Sequence, residues 1–278
     1  MTGWEGTRVG DNGTNGVGAD RTHGALDRNT VLGKVMIVLH AFTSDDHGVS
    51  LAELARRTGI PKASLHRIAT DLVGVRLLER TPAGYRLGRQ LFELGMRASV
   101  ERSLVEVAIP FMEDLYERTH ETVHFGIRDG MEVIYLTKIG GHRQAAAPSR
   151  VGGRMPLYCT AIGRALLAWA EPEVVTRVLT GPLPRRTPRT VATPGMLRQQ
   201  LDRVIADGVS YEFEESAPGI VCVGAPIFES EGHAVAAISV TGPAPGFRPQ
   251  QHAASVRAAA AGIGATLARR AHLSEQSG

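Results

Sequence analysis

A length of 278 residues is enough for one large domain or two ordinary ones, each with a sizeable core. The 43% hydrophobic and 21% charged residues are typical of a water-soluble globular protein. No apolar run approaches the ~20 residues of a membrane helix, and residues 1–16 lack the apolar core of a signal peptide. Cys159 and Cys222 are too few for a disulfide framework and do not have zinc-finger spacing. We therefore expect a cytoplasmic protein that does not contact a membrane.

The charge is unevenly distributed along the chain. Its formal total is only +3, yet the segment from Ser50 to Gln90 holds eight basic residues against three acidic ones. A basic segment on a nearly neutral body is typical of a nucleic-acid contact. A solvated charged face is the alternative, and the charge count alone does not decide between them.

Residues 1–28 are rich in Gly, Asp, Asn and Thr and contain almost no apolar residues, so we predict a disordered tail. A helical period then begins, and a loop at 43–48 ends it. The predicted apolar stripe of this helix consists of Val31, Leu32, Val35, Val38, Leu39 and Phe42.

A second helix begins at a capping box, in which the Ser50 hydroxyl accepts from a free amide and Glu53 reaches back. This helix ends at Gly59. Pro61 suits the first position of a third helix that runs to about Val75. The predicted buried face of the third helix holds Leu65, Ile68, Ala69 and Leu72.

Two alternating runs follow, residues 76–80 and 85–89, and the turn at 81–84 between them predicts a β-hairpin. The order of helix, helix, tight turn, helix and hairpin is that of a winged helix-turn-helix. Residues 90–120 predict two further helical pieces, which we interpret as a connector between domains.

The second half mixes strands and helices without strict alternation, which predicts an α+β domain. The predicted strands are 123–128, 131–138, 209–214, 220–228 and 234–241, and the predicted helices are 160–170, 193–206 and 250–271. The predicted organisation is a tail at 1–28, a DNA-binding domain at 29–89, linker helices at 90–120, a second domain at 121–272 and a tail at 273–278.

The outer face of the third predicted helix has the composition of a groove-reading surface. Ala63, Arg67 and Thr70 point away from the buried face, with Ser64 and His66 beside them. Small and polar side chains let a helix enter a major groove, where Arg67 can read a guanine edge or grip a phosphate. A winged domain used only for protein contacts is the alternative, and the basic excess disfavours it. The predicted DNA contacts are Lys62, Ser64, His66, Arg67 and Thr70, with Arg80 and Arg86 on the wing.

These motifs resemble a known family. Gly59–Arg67 (GIPKASLHR) followed by Gly84–Gly88 (GYRLG) is similar to the DNA-binding half of the IclR family of bacterial transcriptional regulators. The resemblance continues in order from about residue 29 to 271. Its segments in the second half are Gly153–Ala168 (GRMPLYCTAIGRALLA), 186–190 (RTPRT), 207–215 (DGVSYEFEE), Gly219–Ile227 (GIVCVGAPI) and 236–243 (AAISVTGP).

The resemblance implies a fold and a function. The implied fold is multidomain α+β, with a winged helix-turn-helix, a linker helix and a C-terminal GAF-like α/β domain that binds an effector. The implied partners are a palindromic double-stranded DNA operator, further copies of the chain in a homodimer or homotetramer, and a small organic effector. A carboxylic acid or an aromatic metabolite is the expected effector class, and no other cofactor is expected.

The resemblance also implies which residues line the effector pocket. An acid at the position of Glu212 occurs in family members that sense small acids, but the longer Glu either fills space or demands a different ligand. Apolar walls with a few hydrogen-bonding groups suit a pocket of this kind. The matching positions are Met155, Leu157, Ala161, Ile162, Glu212, Ile220, Cys222, Ser239 and Thr241.

The segment His120–His124 satisfies the H-E-x-x-H pattern of zinc peptidases. That chemistry needs both histidines on one helical face. Residues 122–127 instead predict a strand, so the pair is expected to straddle a helix-to-strand junction. We expect neither a metal site nor enzymatic activity. An enzyme with a regulatory N-terminal half and a pure protein-interaction module are the rival interpretations, and no nucleophile elbow or P-loop supports the first.

Overall fold

A computed structural model of the protein describes residues 27–43, 45–140 and 148–275. These residues form two compact units that divide between Leu87 and Gly88. The predicted tails at 1–26 and 276–278 lie outside the described residues, whereas residues 273–275, also predicted as tail, belong to the last helix. The predicted multidomain α+β fold is confirmed.

The N-terminal unit is a winged helix-turn-helix. Its elements are α1 (Val31–His40), α2 (Leu51–Thr58), α3 (Lys62–Gly74), β1 (Leu78–Thr81) and β2 (Gly84–Leu87). The backbone of Val49 exchanges two hydrogen bonds of 2.7 and 2.8 Å with Tyr85, which ties the start of α2 to the antiparallel hairpin. One small core lies between these elements and includes Val38, Leu54, Leu65, Leu72, Leu78 and Tyr85.

Local sequence signals set the ends of these helices. The Ser50 hydroxyl accepts from the Glu53 amide at 3.2 Å and caps α2. Gly59 ends α2 in the left-handed conformation, with φ of 69°. Pro61 lies one residue before α3 rather than in its first turn. The four residues of the predicted buried face of α3 are all buried, which confirms the helical register.

The structure corrects two sequence predictions in this unit. Val31 and Leu32 are 74% and 62% exposed, although both belong to the predicted apolar stripe of α1. They lie in the first turn, and the helix packs against the core only farther along, from Val35 onward. The hairpin is shorter than predicted, because its strands begin at Leu78 and end at Leu87.

An ion-pair cluster joins α2 to the loop before it. Arg57 contacts Asp46 at 2.6 Å and Glu53 at 2.8 Å. Hydrogen bonds from Arg56 and Arg57 lower the pKa of the Glu53 carboxyl to about 2, and Arg57 also holds the pKa of Asp46 well below its usual range. Both carboxylates are therefore easier to ionise in the folded unit than in the unfolded chain.

This cluster predicts that the N-terminal unit loses stability in acid. A depressed carboxyl pKa contributes stability that is present above the unfolded pKa of about 4.5 and is lost as the pH falls toward about 2. We expect Arg57→Gln to destabilise the unit near neutral pH and to have a smaller effect at about pH 3. Calorimetric unfolding of the full chain checks this, with Arg118→Gln, which removes an exposed pair on another helix, as the control. If Arg57→Gln lowers the free energy of unfolding equally at both pH values, this ion-pair cluster does not cause a loss of stability in acid.

The C-terminal unit is an antiparallel sheet with helices on both faces. Its helices are α4 (Arg89–Gly95), α5 (Ser99–Thr119), α6 (Ala161–Leu167), α7 (Pro172–Thr180), α8 (Pro194–Asp207) and α9 (Pro249–Glu275). Its strands are β3 (Thr122–Asp129), β4 (Glu132–Ile139), β5 (Arg154–Pro156), β6 (Ser210–Phe213), β7 (Ile220–Phe228) and β8 (Ala234–Pro243), in the sheet order β5-β4-β3-β8-β7-β6.

The two faces of this sheet have different characters because side chains alternate along each strand. Val123, Phe125, Val223 and Ile238 face α5 and α9 in an apolar core. The alternate residues face α6, and among them are several polar ones, including His124 and Ser239. The sheet thus has one predominantly apolar face and one face that carries buried polar groups.

Two elements of this unit were not predicted from the sequence. The strand β5 has only three residues, which is too short for an alternating pattern to be recognised. The helix α7 does carry signals, since Pro172 occupies its first turn and Val174, Val175 and Val178 are buried on one side. Both elements lie on or beside the face of the sheet that carries the polar groups.

Candidate functional sites

The outer face of α3 is a candidate nucleic-acid surface. Packing of Leu65, Ile68, Ala69 and Leu72 against the core turns the opposite side of the helix to solvent. All the residues predicted there are exposed, namely Lys62, Ser64, His66, Arg67 and Thr70. The Thr70 hydroxyl donates to the His66 carbonyl oxygen at 2.9 Å, so its acceptor lone pairs remain for a partner.

The basic side chains of the N-terminal unit differ in whether they already pair with another group of the protein. The Arg86 guanidinium pairs with Glu79 at 2.6 Å, and that of Arg80 lies 5.3 Å from the centre of the Tyr85 ring. By contrast, no carboxylate of the described residues pairs with Lys62 or Arg67. The charge on α3 is therefore available to an anion without breaking an internal contact, whereas Arg86 would have to leave Glu79.

The second candidate site is a buried polar cavity between α6 and the sheet. Strand register brings its residues together: Glu212 lies opposite Cys222, Cys222 opposite Thr241, and His124 opposite Ser239. Gly224 allows the close approach of α6, because a Cβ there would lie 3.2 Å from the Ala161 carbonyl carbon. The cavity has a free volume of about 20 Å³, which is about the room that one water needs.

A chain of hydrogen bonds runs along one side of the cavity. Ser149 Oγ lies 2.7 Å from His124 Nε2, and Thr241 Oγ1 lies 3.3 Å from His124 Nδ1 and 3.1 Å from Cys222 Sγ. Burial lowers the pKa of His124 to about 3, so the imidazole is neutral near pH 7. One consistent arrangement has the Ser149 hydroxyl donating to Nε2, Nδ1–H donating to Thr241, and the Thr241 hydroxyl donating to the Cys222 sulfur.

Glu212 forms the other polar end of the cavity. Its side chain is buried, and its Oε1 accepts from both the backbone amide, at 2.9 Å, and the hydroxyl of Ser216. Burial raises the pKa of the Glu212 carboxyl, although the two bonds from Ser216 oppose that shift. Burial also raises the pKa of Cys222 well above its usual range, so its thiol is not a nucleophile near neutral pH.

Most of the residues predicted for an effector pocket meet at this cavity. Ala161, Ile162, Glu212, Ile220, Cys222, Ser239 and Thr241 line it. Met155 and Leu157 lie outside this cavity, since Met155 pairs with Val133 at the sheet edge and Leu157 packs in the neighbouring apolar cluster; their contact with an effector stays a prediction.

Four polar residues of the lining were missed, namely His124, Tyr135, Ser149 and Ser216. The alternation of β3 carried a signal for the first of them. Because Val123 and Phe125 face the apolar core, His124 must face the other side. Ser149 and Ser216 lie outside helices and strands, where no sequence period reports which way a side chain points.

A larger apolar groove of about 490 Å³ runs between α9 and the end of β7. Ala and Gly residues of α9 supply much of its wall. Since orienting a small ligand requires a few converging polar groups, the smaller cavity around Glu212 is the better candidate for a ligand site.

The H-E-x-x-H segment does straddle a helix-to-strand junction. His120 ends α5 in the left-handed conformation and is exposed, whereas His124 points inward from β3. The two imidazoles therefore do not share a helical face. Within the described ranges, Glu229, Glu231 and His233 in the exposed β7–β8 turn are the group whose ligand atoms lie close enough to hold a metal ion. None of the helices in those ranges is both long and apolar enough to cross a bilayer.

The order and content of both units match one protein family. Residues 31–82 match the IclR helix-turn-helix domain, and residues 96–265 match the C-terminal domain of the bacterial transcriptional regulator IclR. The chain belongs to the IclR family of transcriptional regulators. Its function is therefore to bind DNA through the winged helix-turn-helix and to regulate transcription in response to a ligand of the C-terminal domain.

Individual relatives within the IclR family are similar over most of the chain. The HTH-type transcriptional regulator KdgR of Escherichia coli is 32% identical over 240 residues, which cover 84% of this chain and 91% of KdgR. The regulator BhcR of Paracoccus denitrificans is 34% identical over 233 residues, or 82% of this chain and 81% of BhcR.

Two solved structures of IclR proteins support the fold. The Thermotoga maritima IclR is 28% identical, has a TM-score of 0.71, and the match covers 85% of this chain and 98% of that protein. An IclR homologue from Microbacterium hydrocarbonoxydans, solved with 4-hydroxybenzoate, is 33% identical with a TM-score of 0.80. That match covers 86% of this chain and 99% of the homologue.

Proposed function

We propose that this IclR regulator recognises its operator with Lys62, Ser64, His66, Arg67 and Thr70 of α3, while Arg80 and Arg86 of the wing contact the DNA backbone or the minor groove. The observation that carries the proposal is the outer face of α3, where exposed cations that pair with no carboxylate of the described residues lie among small and polar residues. A helix with this surface fits a major groove, and Arg67 is the residue best suited to a guanine edge or a phosphate. DNA has to displace Glu79 before Arg86 can contribute, so we rank Arg86 below Arg67.

Operator binding by Arg67→Ala tests this proposal. The operator is first delimited by footprinting the DNA upstream of the protein's own gene. Losing one base or phosphate contact should cost about 1–3 kcal/mol, or roughly ten- to hundredfold in affinity. Lys62→Ala should weaken binding to all sequences and reduce the salt dependence by about one charge.

A matched control is Arg118→Ala, which removes an equally charged, 64% exposed side chain from α5 in the other unit. Its operator affinity should equal that of the wild type. Unchanged affinity in both Arg67→Ala and Lys62→Ala would refute the assignment of α3 as the recognition helix.

The effector is proposed to bind in the cavity around Glu212. The support is the convergence of a carboxyl group, a neutral imidazole and several hydroxyls in one buried space, which suits a small polar organic molecule. A carboxylic acid or an aromatic metabolite is the proposed class, since a homologue of the same fold was solved with 4-hydroxybenzoate. The free volume of about 20 Å³ means that side chains must move to admit such a ligand.

The proposed assembly is a homodimer or homotetramer on a palindromic operator in the cytoplasm. Its support within the chain is α4, where Phe92 and Leu94 are 72% and 46% exposed and no residue is buried. An apolar helix face of this kind is typical of an interface between copies. We keep the proposed functional division into a DNA-binding part at 29–89, linker helices at 90–120 and an effector-binding part at 121–272.

A further inference from the structure

The cavity already contains one carboxyl group with its own hydrogen-bond donors. Glu212 is 2% exposed, and both the amide and the hydroxyl of Ser216 donate to its Oε1. A buried carboxylate needs such donors, because burial without them is strongly destabilising. The Ser216 donors are therefore committed to the chain's own carboxyl group rather than to an incoming one.

The guanidinium of Arg164, which lies nearby, is already bound by other groups of the chain. Arg164 makes two contacts, of 2.7 and 2.8 Å, to the Glu215 carboxylate, and it also donates to the carbonyl oxygens of Tyr158 and Tyr211. It is 1% exposed and has no freedom to turn toward the cavity. The neutral His124 adds no positive charge. A second anion next to Glu212 would thus add charge that no Lys or Arg of the described cavity lining offsets.

We propose that the effector presents a hydrogen-bond-donating group, a hydroxyl or an amino group, to Glu212, and that a carboxylate is rejected at this end of the cavity. This inference rests on the proposed function of the cavity as the effector site, and it specifies one end of the ligand. The Glu212 carboxyl, which the Cys222 thiol also contacts, is the acceptor of the ligand's N–H or O–H. Two carboxylates in one buried site cannot both ionise freely, so a ligand carboxylate there would have to share a proton with Glu212.

A series of para-substituted benzoates tests the proposal on the wild-type protein. 4-Hydroxybenzoate, 4-aminobenzoate and benzene-1,4-dicarboxylate share a ring and one carboxylate and differ only in the group that can face Glu212. Titration calorimetry should give at least about tenfold tighter binding for the hydroxyl and amino compounds than for the dicarboxylate. The two donor compounds also show which donor is preferred. Equal or tighter binding of the dicarboxylate, or no binding of any of the three, would overturn the proposal.

Removing the internal carboxyl group provides a second test that does not depend on the aromatic ring. Glu212→Ala leaves a space beside the Ser216 donors that acetate can fill. We expect acetate to raise the melting temperature of Glu212→Ala, relative to chloride at the same ionic strength. The control Glu212→Gln keeps the side-chain volume, so acetate should not shift its melting temperature. A Glu212→Ala protein that folds and ignores acetate would overturn the proposal.

Operator affinity, measured in the same titrations, separates this inference from the proposed function. If the ligands bind with the expected preference but operator affinity does not change, Glu212 does select a hydrogen-bond donor, and the cavity is not the regulatory site. If the dicarboxylate binds best and operator affinity does change, the cavity is the regulatory site, and the proposed preference of Glu212 for a donor is wrong.

Discussion

Replacing Glu215 by Gln is expected to destabilise the C-terminal unit by about 3–5 kcal/mol. The Arg164–Glu215 pair has side chains that are only 1% and 5% exposed. Gln keeps the volume and can still accept one hydrogen bond, but it leaves the Arg164 charge without a counterion in a medium of low polarity. The loss should also loosen residues 214–216, since Thr187 and Thr190 both donate to backbone oxygens of that segment.

Urea denaturation followed by circular dichroism measures this effect. The control is Glu214→Gln, which removes the adjacent carboxylate and its pair with an Arg189 side chain that is 66% exposed. Exposed pairs contribute about 0–1 kcal/mol, so the control should differ little from the wild type. Similar costs for Glu214→Gln and Glu215→Gln would mean that burial does not decide the strength of the pair.

Replacing Leu65 by Ala is expected to unfold the DNA-binding unit selectively. Leu65 is fully buried in the small core under α3, and truncating such a residue costs about 2–5 kcal/mol. A domain of about 60 residues has little stability to lose, so operator binding should disappear. The C-terminal unit has separate apolar cores and should keep its melting temperature and its ligand affinity.

Val75→Ala is the matched control for Leu65→Ala. It also shortens an apolar side chain, at the C-terminal end of α3, but Val75 is 59% exposed. Its stability should change by less than about 0.5 kcal/mol, and its operator binding should be retained. Retention of operator binding by Leu65→Ala would show that the fold of α3 does not depend on this core.

The recognition helix could be predicted because its signals are local. The apolar period of α3 turns one face inward, so the residues on the other face follow from geometry within about four turns of helix. The sequence did not show that Arg86 pairs with Glu79, because the two strands of the hairpin set that contact. The exposure of Val31 and Leu32 was not predicted for a similar reason. The apolar period of a helix shows which face is apolar, but it does not show where along the helix the core begins.

The cavity was predicted in part, and the missing part is non-local. His124 and Thr241 lie 117 positions apart and meet only because β3 pairs with β8. Resemblance to the IclR family identified Glu212 and Cys222, which line the cavity, and also named Met155 and Leu157, which lie outside it. A strand position fixes the face of a residue, whereas the packing of α6 and of the loops decides which residues on that face reach the cavity.

Local sequence patterns were enough to predict the winged helix-turn-helix, the α+β second domain and the residues on the outer face of α3. Those features depend on helical and strand periods, caps and turns, which act over a few residues. The three-dimensional packing was needed to show that Arg164 and Glu215 form a buried pair and that His124 meets Thr241 in the cavity. These residues lie 51 and 117 positions apart in the sequence, and the packing of α6 and the register of β3 against β8 bring them together.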